Sequence, residues 1–160
     1  MSDIKFGTDG WRAIIADDYT VKNVIRVAEA AAIFMEERAM QKVVIGYDCR
    51  FGGKMFAETA ARVMGSHQIH VVMGDHVAST PMVSLGVRKL GADLGIVITA
   101  SHNPPSYNGF KLKSSFGGPS VPDDIAAVEN HIPDKPMKDL DSLDKMKENG
   151  LLTYMNLEDM

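Results

Sequence analysis

Residues 95–112 read GIVITASHNPPSYNGFKL, with Ser101, His102 and Asn103 side by side between an apolar run and two prolines. Three roles are open to a serine placed this way. A hydrolytic nucleophile needs an activating base and an oxyanion hole, usually with the Gly-x-Ser-x-Gly elbow. That elbow is absent, and His102, one peptide away, is poorly placed to align with the Ser101 hydroxyl. A plain turn is the second reading, since Ser, Asn and Pro all favour turns. The third is a covalent phosphoryl carrier, which asks for an exposed serine on a rigid loop, nearby cations and a divalent metal to offset phosphoryl charge. Ser101 meets the first demand, and Lys111 and Lys113 are candidates for the second. Spacing alone leaves turn and carrier both open.

The elements that must hold this loop follow from periodicity. Residues 20–38 place Val21, Val24, Ile25, Ala28, Ala31, Ala32 and Met35 on one helical face, with Thr20 as N-cap. KVVIGYD at 42–48 is a short β-branched run, and an alanine-rich helix covers 54–67 after two glycines. IHVVMG gives another strand, Ser79-Thr80-Pro81 opens a helix ending near Gly91, and ADLGIVITA supplies the strand before Ser101. This alternation predicts an α/β fold, a three-layer α/β/α domain with a mixed, mostly parallel sheet of about four strands. GFKLKSS would be an antiparallel edge strand, and residues 121–132 a last helix. Beyond Pro133 the pattern fades into charged, proline-punctuated sequence. The expected division is a domain over 1–133, then a connector and the start of a truncated second domain over 134–160. In open α/β sheets ligands gather beyond the carboxyl ends of the strands, which is where Ser101 falls.

Bulk properties narrow the partners. A net charge of -4 offers no general attraction for nucleic acid or an anionic membrane. No apolar run is long enough to span a bilayer, and the N-terminus lacks the pattern of a signal peptide. Cys49 is the only cysteine, so an intrachain disulfide is excluded and a reducing, cytoplasmic location is expected.

TASHNPPSYNGFKL resembles the active-site serine loop of the α-D-phosphohexomutases, the phosphoglucomutase and phosphomannomutase family. FGTDGWR near the N-terminus resembles the opening motif of the same family, and GYDCR followed by glycines its second-strand motif. The resemblance runs in order from Phe6 to Ile132. It implies an enzyme that moves a phosphoryl group between C1 and C6 of a hexose phosphate, through a phosphoserine and a hexose 1,6-bisphosphate intermediate. Ser101 matches the phosphoserine, whose phosphate also ligates Mg2+, a hard cation suited to oxygen donors. Arg12 matches an arginine at the reacting phosphoryl group, where a planar charged fork suits phosphate oxygens. Lys111 matches a lysine near the transferred group, and its alternative is a solvated strand lysine. His102 and Asn103 match residues lining the site, with His102 either a proton shuttle or a loop-shaping donor. Asp48 and Arg50 read as a structural pair beneath the site, and Thr8, Asp9 and Gly10 as the loop that aims Arg12.

The family's members are longer, with four domains around one cleft. Their metal loop of the Asp-Gly-Asp-Gly-Asp-Arg type, their sugar-recognition loop and their phosphate-gripping loop lie in domains II–IV, and none occurs in these residues. The expectation is therefore a first domain alone, with little or no mutase activity and weak Mg2+ binding. Trp11 favours the hexose-phosphate branches, because phosphoglucosamine mutases usually carry isoleucine there. A phosphoglucosamine mutase domain and a stand-alone phosphosugar-binding module are the rival readings.

Overall fold

The computed structural model describes residues 3–8 and 10–160. Strand β1 (Trp11–Ile14) is followed by helix α1 (Val21–Glu37), β2 (Lys42–Tyr47), α2 (Gly53–Ser66), β3 (His70–Gly74), α3 (Thr80–Lys89) and β4 (Leu94–Ile98). The chain continues through β5 (Tyr107–Ser114), α4 (Pro122–Asn130), α5 (Leu143–Glu148), β6 (Leu152–Met155) and a 3-10 helix (Leu157–Asp159). One sheet forms in the order β1-β5-β4-β2-β3-β6. Strands β4, β2, β3 and β6 run parallel, and β5 is antiparallel to both β4 and β1.

Helix α1 starts where its cap predicts: the Thr20 hydroxyl accepts a hydrogen bond from the Asn23 N–H at 3.2 Å. Ser79 does the same for α3, whose Pro81 sits in the first turn. The parallel strands are apolar on both sides because both sides are covered. Val43, Ile45, Val71, Met73, Ile96 and Ile98 join Phe34, Met35 and Met64 in the larger core under α1 and α2. Val44, Val72 and Val97 turn to the opposite side and pack with Val83 and Val87 of α3. At roughly 1.5–3 kcal/mol for each large apolar side chain fully buried, these two cores are what hold the strand ends in place.

The α/β/α architecture agrees with expectation, but the sheet has six strands rather than about four. GFKLKSS is not an edge, because β1 pairs on its outer side, with Trp11 opposite Phe110 and Arg12 opposite Gly109. The stretch expected as a connector instead supplies α5 and the edge strand β6, and Leu152 and Leu157 are buried. Neither four-residue strand is stable alone; each gains its hydrogen bonds and burial only from the sheet it joins.

Candidate functional site

Four polar residues meet at the carboxyl ends of β2 and β4. Thr99, buried at the end of β4, donates its hydroxyl proton to Oδ2 of Asp48 at 2.5 Å. The same hydroxyl oxygen accepts the Ser101 N–H at 3.0 Å. Asp48 Oδ1 accepts the backbone N–H of Arg50 at 3.1 Å, and Oδ2 lies 3.5 Å from Arg50 Nε. Ser101 is exposed and adopts a left-handed backbone, with φ at 55°. For a residue with a Cβ this costs of order 1–3 kcal/mol, so the surroundings must impose it.

Those surroundings are largely Arg50. Its Nη1 donates to the carbonyls of Pro104 at 2.8 Å and Tyr107 at 2.9 Å. Its Nη2 donates to the carbonyls of Ser101 at 2.9 Å and Asn103 at 2.7 Å. Arg12, projecting from β1, donates through Nη1 to the side-chain carbonyl of Asn103 at 2.7 Å. The structure thus brings Arg12, Asn103 and the backbone of Ser101 into one hydrogen-bonded group. His102 is exposed on the same turn. Lys111 departs from the picture of a solvated strand lysine: it is buried, on β5 opposite Val97. Lys113 is buried as well, opposite Gly95.

Two glycines set the approach of β1 and β5 to this end of the sheet. A Cβ at Gly109 would stand 2.4 Å from the Thr99 carbonyl oxygen and 2.9 Å from that of Trp11. Gly10 has φ at 106°, and a Cβ there would meet the Phe110 carbonyl at 2.4 Å. No side chain fits either place, so the strands close up and Arg12 is brought over the serine loop. Asp9, expected to help shape this loop, lies outside the described residues. Buried Tyr19 fastens the same region by donating to the Gly109 carbonyl at 2.7 Å. Burial, and then the charge of Asp48, push its phenol pKa well above the ordinary value, so it stays a donor.

A groove of about 440 Å³ opens beside the serine, lined by Asp48, Cys49, Arg50, Phe51, Ser101, Asn103 and Pro105. A second of about 380 Å³ is lined by Lys5, Gly7, Thr8, Gly10 and Arg12. Among the described residues no group of three or more His, Cys, Asp or Glu is arranged to hold a metal ion. Asp48, at the end of β2, is engaged by Thr99 and Arg50.

Two parts of the site are not legible as such in the sequence. Thr99 had a signal, a hydroxyl two residues before Ser101 that can take its N–H in a local turn. Arg50 was paired with Asp48 from the sequence; its grip on four loop carbonyls depends on how the loop folds back. Trp11 is buried and stacked on Tyr19 at 4.6 Å between ring centroids, so its direct work is packing.

Residues 3–138 match the family described as phosphoglucomutase/phosphomannomutase, alpha/beta/alpha domain I. A phosphoglucomutase from Staphylococcus saprophyticus is 32% identical over 97% of this chain, which covers 29% of that protein. A phosphoglucosamine/phosphogalactosamine mutase from Sulfurisphaera tokodaii is 38% identical over 70% of the chain, covering 24% of its length. Among solved structures, a candidate phosphomannomutase from Thermus thermophilus superposes with a TM-score of 0.90 at 33% identity, over 99% of this chain and 34% of that one. The chain therefore spans about a third or less of the length of these relatives.

Proposed function

Because the chain belongs to the phosphoglucomutase/phosphomannomutase family and corresponds to its domain I, we propose that Ser101 is a phosphoryl carrier in a hexose-phosphate mutase. In the forward half-reaction a sugar hydroxyl oxygen bonds to the phosphorus held by Ser101 Oγ. The Oγ–P bond breaks, its electron pair stays on Oγ, and the proton lost by the sugar hydroxyl is made up on the serine. The bisphosphate formed then returns its other phosphoryl group to Ser101 by the reverse exchange, so no net phosphate is consumed. Arg12, anchored by Asn103, would bear on the phosphoryl oxygens, where developing charge is best met by fixed donors. His102 is the candidate proton carrier on the loop, and Lys111 the candidate for a fixed positive charge near the transferred group.

One observation carries this reading: an exposed serine stands at the carboxyl end of a central strand, on a loop whose backbone carbonyls are held by Arg50 and whose Asn103 side chain is held by Arg12. A hydrolase would need a base aligned on the serine, and a mere turn would not need Arg50. Mg2+ belongs to the proposal through the Ser101 phosphate, with the other ligands supplied from outside the described residues. Hexose phosphate and hexose 1,6-bisphosphate are the proposed partners, along with domains II–IV of a complete protein.

The sugar is left open between glucose or mannose and glucosamine. Relatives of both kinds match, and Trp11 is committed to the core rather than to a sugar. Intact mass and peptide mapping test the carrier directly: phosphate on Ser101 supports it, and phosphate at any other residue overturns it. The 160-residue chain should not convert glucose 1-phosphate in steady state, and sustained conversion would refute that expectation. Labelling of Ser101 by a fluorophosphonate would revive the hydrolase.

A further inference from the structure

Four carbonyl oxygens from residues 101–107 converge on one side chain, that of Arg50. The two terminal nitrogens of a guanidinium carry four protons, and here each nitrogen makes two bonds, so all four are used. Pro104 and Pro105 have no N–H to give to the loop, and the Tyr107 N–H reaches the Pro104 carbonyl at 3.0 Å alongside Arg50. Converging carbonyl dipoles also repel one another, and a delocalised planar cation offsets all four at once. Arg50 is itself aimed by Asp48, which receives its backbone N–H and faces its Nε. Asp48 in turn takes the Thr99 hydroxyl proton, and Thr99 takes the Ser101 N–H. The links form a closed ring, Asp48 to Thr99 to Ser101 to Arg50 and back to Asp48, with the left-handed serine as a member.

We infer that Arg50 is a positioning residue that locks the Ser101 loop in the conformation presenting its hydroxyl, acting through four backbone carbonyls. A lysine cannot replace it, because three protons radiating from one nitrogen do not match four acceptors set around a plane. The consequence for turnover rests on the phosphoryl-carrier reading; the lock itself does not.

The test compares the chain with its Arg50→Ala and Arg50→Lys variants by amide hydrogen exchange. Peptides covering 99–108 report the loop, and peptides covering β2 and β4 report the core. Arg50→Ala should speed loop exchange about tenfold or more while the core stays protected, since a local opening need not be global. Arg50→Lys should recover only a small part of the protection. Millimolar guanidinium should restore it in Arg50→Ala, and ammonium at equal ionic strength should not. In the complete protein Arg50→Ala should lower kcat about tenfold or more with KM little changed, because the loop rather than sugar recognition is disturbed.

Loop exchange that is unchanged in Arg50→Ala, or fully protected in Arg50→Lys, overturns the inference. So does a loss of core protection in Arg50→Lys equal to that of the loop, which would make Arg50 a general structural residue. If the complete wild-type protein shows no mutase turnover, the carrier reading fails, and the exchange data still decide the lock.

Discussion

Two aspartates sit at opposite ends of the parallel strands and do nearly the same local chemistry. At the amino end, Asp93 Oδ2 accepts the backbone N–H groups of Gln41 at 2.8 Å and Lys42 at 3.0 Å, just before β2 and at its first residue. Lys42 reaches on to the Leu90 carbonyl with its ammonium at 3.1 Å. At the carboxyl end, Asp48 accepts from Thr99 and from the Arg50 backbone, and Arg50 reaches on to four carbonyls. Each end thus joins a carboxylate to a long cation and to backbone carbonyls. The amino-end network joins one strand to the turn before its neighbour, and ends there. The carboxyl-end network ends in a loop carrying an exposed hydroxyl on a strained backbone. The same bonds therefore tie a strand to its neighbour's turn at one end and hold the loop that carries Ser101 at the other.

The largest expected effect is at the presented group itself. Ser101→Ala in the complete protein should abolish mutase turnover while shifting stability by no more than about 0.5 kcal/mol, since the side chain is exposed. Turnover at the wild-type level would end the distinction between the two ends. Next come the aspartates as a pair. Asp93→Ala should lose about 1–2 kcal/mol in chemical denaturation, as two N–H groups lose a charged acceptor but gain partial access to water, with loop exchange unaltered. Asp48→Ala should release the loop peptide 99–108 well before it lowers the denaturation midpoint by a comparable amount. If the two variants behave alike, position in the sheet carries no functional meaning.

A smaller effect isolates one link. Thr99→Val keeps shape and burial but removes the hydroxyl that joins Asp48 to the Ser101 N–H. The cost should be about 1 kcal/mol, with faster exchange at the loop, and Thr99→Ser should restore both. A valine that leaves loop exchange untouched would show that Arg50 alone holds the serine.

How much of this could be read from residue order depends on the range of the interactions. Helix α1, with its cap at Thr20, and strands β2, β3 and β4 follow from local periodicity, and the sequence places Ser101 just past β4. Strand β1 did not, because its four residues pair with β5 about a hundred positions later, and no local pattern carries that register. β6 was hidden by its mixed composition, LTYM, which becomes a strand only against β3. Lys111 and Lys113 read as candidate cations near Ser101, with a solvated strand lysine as the alternative for Lys111; both are buried on β5, opposite Val97 and Gly95, a placement that depends on the packing of the sheet faces and not on local pattern. Arg50 was seen beside Asp48, two residues away. Its four acceptors are a property of the folded loop and could not be read from type or spacing.

The smallest effect lies at the amino end and has a sign that can be worked out. His70 opens β3, with its Nε2 3.4 Å from the Thr153 hydroxyl of β6. Burial, and then the neighbouring Lys42 ammonium, hold its pKa below the ordinary histidine value of 6.5. The folded chain therefore releases this proton more readily than the unfolded chain does. Above pH 6.5 both forms are neutral at this position and the group adds no slope. Below it the unfolded chain takes up a proton that the folded chain resists, so stability falls as pH drops toward the folded value. His70→Gln removes the titration while keeping a polar side chain for Thr153. Denaturation at about pH 7.5 and about pH 5.5 should then show a smaller acid loss in the variant than in the parent. An equal loss would place the acid sensitivity elsewhere, and a greater one would reverse the sign argued for this end of the sheet.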